Sequence, residues 1–336
     1  MKKLLFFLSL LSLDLQVAGQ QAAHLYYFIH NTDSSTLVGV KDSRGKIIIP
    51  ARYRDFPEHD TRQPIKDSII IMADGHWSSK ETPAASYGDA FDRNGKLLYH
   101  PLVFDNGPDY FEEGLTRCVD NDKVGFADRR GVIVIEPQWD WAGPFSYGYA
   151  WACKGCYLDY SRDAEHPDIL FQPGAGRVMI NRKGEVVQPA DAPASPLDQK
   201  TDEGYLPYPF RYTAAQQQLL DSFNKMEVLH RLAFMNYSPK VTGQEAQLRF
   251  ELTEKPPQRS GYLVQAYRYN DGVYSTADEM QFIVDANGKW FYNPPFEAPR
   301  PFGAWLQQEL KAADDYFRTH PDAPNRFDTQ AFKQGR

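Results

Sequence analysis

A chain of 336 residues with 42% hydrophobic content carries enough apolar side chain for more than one core, which excludes wholesale disorder. A formal net charge of −7 removes any general attraction for nucleic acid or anionic lipid. Aromatic residues reach 14%, with 20 Tyr and 21 Phe, and that balance favours β-structure.

The N-terminus reads as a secretory signal. Lys2 and Lys3 form a charged start, Leu4 to Leu13 an apolar run, and Asp14 a polar end. Val17 and Gly19 are small residues suited to peptidase cleavage, so residues 1–19 are expected to be removed after Gly19. A membrane anchor needs roughly 20 apolar residues, and this run is shorter. No Cys lies near the cleavage point, which argues against a lipoprotein. The expected location is periplasmic or extracellular, with no later transmembrane segment.

Residues 24–30 predict a first strand. A short phrase then recurs along the chain: Asp or Asn, two residues, Gly, a β-rich run, and Pro. The copies start at Asp42, Asp92, Asp128 and Asn181, with glycines at Gly45, Gly95, Gly131 and Gly184 and prolines at Pro50, Pro101, Pro137 and Pro189. Such self-similarity marks a repeat protein, and a repeat array usually presents a surface and not one catalytic pocket. Each copy predicts a β-hairpin. The Asp or Asn side chain bonds the backbone two residues on, and Gly takes the left-handed position that closes the turn with a bulge. Apolar runs such as Ile47-Ile48-Ile49 and Val132-Ile133-Val134-Ile135 predict the strands after the turns. Pro, lacking an N–H, is expected to end the pairing.

The third copy extends from Val124-Gly125-Phe126-Ala127-Asp128 through Pro137-Gln138-Trp139-Asp140 to Phe145-Ser146-Tyr147-Gly148-Tyr149-Ala150. This resembles the bacterial WG-repeat family, whose units run Trp-Gly, aromatic, Ile-Asp, turn Gly, a β-branched run, Pro, Tyr-Asp and Phe-x-x-Gly-Leu-Ala. The first copy matches through Val38-Gly39-Val40-Lys41-Asp42, and the second at its end through Phe111-Glu112-Glu113-Gly114-Leu115-Thr116. The fourth has lost the Gly before its strand. Val38 and Val124 stand where the family has its Trp. The resemblance covers about residues 30–190 and implies binding or scaffolding, not a reaction.

Between the repeats, Ser68 to Ala73 predicts a strand followed by a turn at Asp74-Gly75, and residues 157–176 read as a loop thrown out between paired strands. Cys153 and Cys156 are suited to a small disulfide loop; no helix follows to lower a thiol pKa for redox work. Residues 191–211 read as a Pro-rich linker. Thr213 with Gln216 predicts a capping box, and Leu219, Phe223, Met226 and Leu229 continue one helix. Strict alternation from Ala246 to Thr253 predicts a half-buried strand. Further strands are expected at Tyr262 to Tyr269 and Met280 to Val284. A fifth Asp-x-x-Gly turn stands at Asp285, and a last helix runs from Phe302 to Phe317.

Motifs for chemistry are sparse. Ser222-Phe223-Asn224-Lys225 matches Ser-x-x-Lys without its companions, and Asp120-Asn121-Asp122 cannot complete a calcium loop, so it reads as a polar turn. Glu112-Glu113 and Asp314-Asp315 do not converge and are expected on solvated faces. One aromatic set has a binding reading: Trp139 and Trp141, then Tyr147, Tyr149 and Trp151, each alternating as on one strand face. Core packing is the reading preferred for them over a contact surface.

The sequence therefore predicts a mainly β protein with an α+β end. About four WG-type hairpin repeats span residues 20–190. A small domain over residues 212–320 holds an antiparallel sheet and two helices, and residues 321–336 form a polar tail. The expected role is a non-enzymatic protein- or glycan-interaction module at the cell envelope, with no cofactor and no metal. The alternative is a ligand-binding or hydrolytic C-terminal domain that the repeats target.

Overall fold

The computed structural model describes residues 24–54, 59–74, 85–105, 107–159, 161–163, 168–295 and 297–333. The expected signal peptide and Gly75 of the expected turn lie outside these residues. The chain divides into two compact units, one ending at Asp67 and one beginning at Ser68.

The first unit is one antiparallel sheet of β1 (Leu25–Asn31), β2 (Thr36–Asp42) and β3 (Ile47–Arg54), with Val38, Val40, Ile49 and Tyr53 buried. The second unit opens with the sheet β4 (Ile70–Ala73), β5 (Gly88–Phe91) and β6 (Leu97–Tyr99). A short pair follows, β7 (Val103–Phe104) and β8 (Gly107–Pro108). Then come β9 (Leu115–Asp120), β10 (Lys123–Asp128) and β11 (Ile133–Trp139) in one sheet. The next sheet begins with β12 (Trp141–Ala142) and β13 (Tyr149–Cys153). Its chain leaves to form the side hairpin β14 (Cys156–Asp159) and β15 (Asp168–Phe171), then returns as β16 (Arg177–Asn181) and β17 (Val186–Val187). The Pro-rich segment carries a further hairpin, β18 (Gln199–Thr201) and β19 (Gly204–Leu206).

The recurring turns share one geometry. In the third copy Asp128 Oδ1 accepts from Arg130 N–H at 2.9 Å and Val132 N–H at 3.0 Å, while Gly131, at φ +79°, donates to the Asp128 carbonyl. Asp42, Asp92, Asn181 and Asp285 hold their turns through the same side-chain bonds.

The expectation that Pro ends each strand is overturned in two copies. β3 runs through Pro50 and β11 through Pro137, each with register shifts in its pairing. In both, the partner strand presents Gly: a Cβ on Gly39 would lie 2.6 Å from Ala51 N, and one on Gly125 would lie 2.5 Å from Pro137 N. Gly lets the backbone swell at Pro without losing its partner. Asp89 and Val178 hold the equivalent positions in the second and fourth copies, and there the strand stops at Tyr99 and Val187, before Pro101 and Pro189.

Successive copies in the second unit are joined by backbone pairing. The segment after each Pro bonds to the first strand of the next copy: Pro101 with Cys118, Trp141 with Cys153, and Ala190 with Tyr205. The β18–β19 hairpin thus receives the end of the fourth copy as a truncated further unit. Turn glycines pack on the preceding copy, Gly131 against Leu98 and Gly184 against Ile135. Leu115, Val124, Phe126, Ile135, Trp139, Phe145, Ala152 and Ile180 fill the core beneath.

The C-terminal part contains α1 (Ala214–Asn224), α2 (Glu227–Phe234), a 3₁₀ turn at Gly243–Ala246, and a five-stranded antiparallel sheet. The strands are β20 (Leu248–Glu254), β21 (Gly261–Asn270), β22 (Val273–Asp285), β23 (Trp290–Tyr292) and β24 (Arg300–Pro301). Helices α3 (Phe302–Thr319) and α4 (Gln330–Lys333) follow, so four helices are present among the described residues where two were expected. The capping box at Thr213 and Gln216 forms. The single expected helix divides because the Asn224 carbonyl bonds the His230 ring, while the Asn224 side chain serves β20. One face of the sheet packs Phe250, Val264, Phe282 and Tyr292 against Phe223 and Trp305. Residues beyond Pro321 also join this core, with Phe327 edge-on to Phe317 at 5.3 Å. The other face was expected in water; instead Glu251, Thr253 and Glu254 of β20 are buried there.

Candidate interaction surfaces

What covers that polar face is a pair of tight turns from the repeats. Each Phe-x-x-Gly phrase forms a two-residue hairpin turn with both central residues at positive φ: Glu113 and Gly114 at +51° and +79°, Tyr147 and Gly148 at +50° and +78°. Glu113, expected on a solvated face, is only 6% exposed. Its carboxylate accepts from Gly148 N–H at 2.9 Å, from Arg182 at 3.2 Å and from the Tyr267 hydroxyl of β21. Buried carboxylates need such donors, and here three elements supply them. Tyr147 stacks on Tyr274 of β22 at 4.4 Å and meets Tyr267 edge-on at 5.2 Å. Arg129 lies over the Phe111 ring at 4.5 Å and bonds Glu254 at 2.6 Å. Glu251 accepts from Tyr208, Tyr212 and Arg249 at 2.6–2.8 Å. Lys200 of β18 donates its N–H to Gly272 O and pairs with Asp271. The Phe-x-x-Gly edge of the array is thus engaged by the chain's own sheet.

The aromatic set read from the sequence is divided by the fold. Trp139 ends β11 and is 5% exposed; Tyr147 sits in the turn, fully buried; Tyr149 is buried, its hydroxyl donating to Pro207 O. They do not share one strand face, because the chain changes strand after Trp139 and turns at Tyr147. Trp141 and Trp151 are half-buried. Trp141 pairs with Cys153, so Trp141 and Trp151 lie on one face of the β12–β13 pair. A Cβ on Gly143 would lie 2.3 Å from Trp151 Nε1, so the indole rests on bare backbone. Arg177 covers the Trp151 ring at 4.8 Å.

Sequence reasoning missed the rest of this face. Arg117, buried, holds its guanidinium 5.1 Å from the Phe104 ring and 5.8 Å from the Trp141 ring. Asp109 fixes it through bonds of 2.6 and 3.0 Å, and Ala142 O takes a third at 3.1 Å. Phe104 meets Tyr110 edge-on at 6.1 Å, and both are 44% exposed. The outcome is a strip of accessible aromatics, Tyr110, Phe104, Trp141 and Trp151, mounted on a buried ion pair. Its only sequence signal is the Trp spacing, since Phe104 and Asp109 come from a neighbouring copy.

Cys153 and Cys156 form a disulfide, and Cys118 is a buried free thiol whose pKa burial pushes up to about 12. Ser222 donates to Gln218 O, and Lys225 pairs with Asp221, so the Ser-x-x-Lys match builds no nucleophile. Asp315 pairs with Lys311 and Arg318 on the surface, while Asp314 is bonded by Thr329. A cavity of about 320 Å³ lies beside α2, lined by Glu227, His230, Arg231, Lys240 and Asn325. Both His230 nitrogens are engaged by backbone groups. Among the described residues no three His, Cys, Asp or Glu gather to hold a metal, and no helix is long and apolar enough to cross a membrane.

Residues 125–155 match the family described as WG containing repeat. The match runs from Gly125, opposite the Pro137 bulge, to the disulfide loop, and the resemblance read from the sequence is shown there. No curated protein and no solved structure matches the chain. The class is thus a repeat protein of mainly β structure with an α+β C-terminal part.

Proposed function

We propose that this is an exported, non-enzymatic interaction protein of the bacterial cell envelope, which binds a glycan chain on the Tyr110–Phe104–Trp141–Trp151 strip. The observation that carries the reading is the mounting of that strip. Partly exposed aromatic side chains can stack on apolar ring faces, and a platform already fixed by Arg117 and Asp109 loses little entropy when it binds. Arg177 beside Trp151 adds hydrogen-bond donors for ligand hydroxyls.

Titration of the purified chain with soluble envelope polysaccharides, followed by Trp fluorescence, tests the reading. Trp151→Ala is expected to lower the free energy of unfolding by no more than about 1 kcal/mol and to weaken binding by about 2 kcal/mol, roughly 30-fold. Unchanged affinity in Trp141→Ala and Trp151→Ala would remove the strip from the reading. Binding to envelope proteins but not to glycans would replace the ligand class. Export has its own measurement: protein recovered from outside the cytosol is expected to begin at Gln20 by intact mass.

The cavity beside α2 favours a second reading, in which the C-terminal domain takes a small ligand and the repeats address it.

A further inference from the structure

The edge of the C-terminal sheet is closed by side chains and not by another strand. β20 has β21 on one side only. On the other side, amides at alternate positions each find a side-chain acceptor. Leu248 N–H donates to His230 Nδ1 at 2.9 Å, Phe250 N–H to Asn224 Oδ1 at 3.0 Å, and Leu252 N–H to Tyr212 Oη at 3.1 Å. A row of uncovered amides is a template for pairing with another strand, so these three side chains act as a surrogate neighbour. Because His230 Nδ1 accepts, Nε2 carries the ring proton and donates to Asn224 O at 2.9 Å. A second proton can go only to Nδ1, where it would face the Leu248 N–H donor to donor.

We propose that His230 is an acid-sensitive latch holding α2 against the open edge of the sheet, and that its protonation releases the Leu248 end of β20. The surroundings favour the neutral ring. Burial pushes the imidazole below its ordinary 6.5, and the backbone bond to Asn224 and the Glu227 charge oppose this. Glu227 is itself paired with Arg231 at 2.9 Å, and Lys240 lines the same cavity. Asn224 and Leu248 offer the ring only uncharged groups. With the folded pKa depressed, the latch contributes fully above the unfolded value of 6.5 and is lost as pH falls from there through the folded pKa.

Amide hydrogen exchange on the full chain, corrected for intrinsic rates, tests the latch. From pH 7.5 to pH 5 the Leu248 amide is expected to lose protection about tenfold or more, while Val264 in the middle of the sheet keeps its own. His230→Gln, whose side chain can both accept from Leu248 N–H and donate to Asn224 O, is expected to flatten that dependence. Equal wild-type Leu248 protection at the two pH values would overturn the proposal. So would the same pH dependence in His230→Gln. If that variant does not fold, an NMR titration of the wild-type His230 ring decides: the loss of Leu248 protection must begin near 6.5 and level off at the ring's own, lower, folded pKa, and a loss unrelated to that window overturns the proposal.

Discussion

The turn glycines carry the same backbone demand but meet different neighbours. Gly131 and Gly288 have φ of +79° and +76°, yet a Cβ on Gly288 enters open space while one on Gly131 would lie 2.4 Å from Leu98 Cδ1. Asn tolerates the left-handed region, so Gly288→Asn is expected to cost under about 1 kcal/mol. Gly131→Asn must also displace Leu98, and urea unfolding is expected to show about 1–2 kcal/mol more. Glu112 offers a second test. Burial, with Asp278, Glu113 and Asp109 nearby, raises its carboxyl from 4.5 to about 7. The folded state therefore holds this proton more tightly than the unfolded state. Stability present below pH 4.5 is lost as pH rises to about 7 and is flat beyond. Glu112→Gln is expected to stabilise by about 1–2 kcal/mol at pH 8, allowing for partial solvent screening, and to change little at pH 4.5. Melting curves at the two values check the sign.

At the level of elements, the Gly–Pro pairing of the repeat explains what sequence reading could and could not reach. The hairpin turns were legible because Asp-x-x-Gly encodes them within a few residues. The consequence of Pro137 was not, because it depends on Gly125 in the partner strand. Gly125→Ala would drive a Cβ to 2.4 Å from Ile135 O. It is expected to cost about 2–3 kcal/mol and to shorten β11 to an end before Pro137, read as lost protection at Trp139. The C-terminal strands were legible from alternation, but not the burial of Glu251 and Glu254, since their partners Tyr208, Tyr212 and Arg129 lie elsewhere in the chain. The aromatic strip was half legible: Trp141 and Trp151 stood out, while Phe104 and Asp109 come from a neighbouring copy.

For the second unit as a whole, the Phe-x-x-Gly turns couple repeats and sheet. Glu113 with Tyr267, and Arg129 with Glu254, tie residues far apart in sequence. A double-mutant cycle of Glu113→Gln and Tyr267→Phe is expected to return a coupling of about 1–3 kcal/mol, and residues 68–333 to unfold in one transition. Separate melting of repeats and sheet would break this account. The side hairpin β14–β15 has the opposite standing. β13 pairs directly with β16, Trp151 with Met179 and Cys153 with Arg177, so the chain departs and re-enters the ladder at adjacent points. Cys156 pairs with Phe171 just outside that junction, and the disulfide ties its first strand to the ladder. Closing such an excursion costs little more for a long insert than for a short one, about 0.6 kcal/mol per doubling. The junction is therefore a port: a position where this array can gain or exchange a module while every neighbouring strand keeps its register.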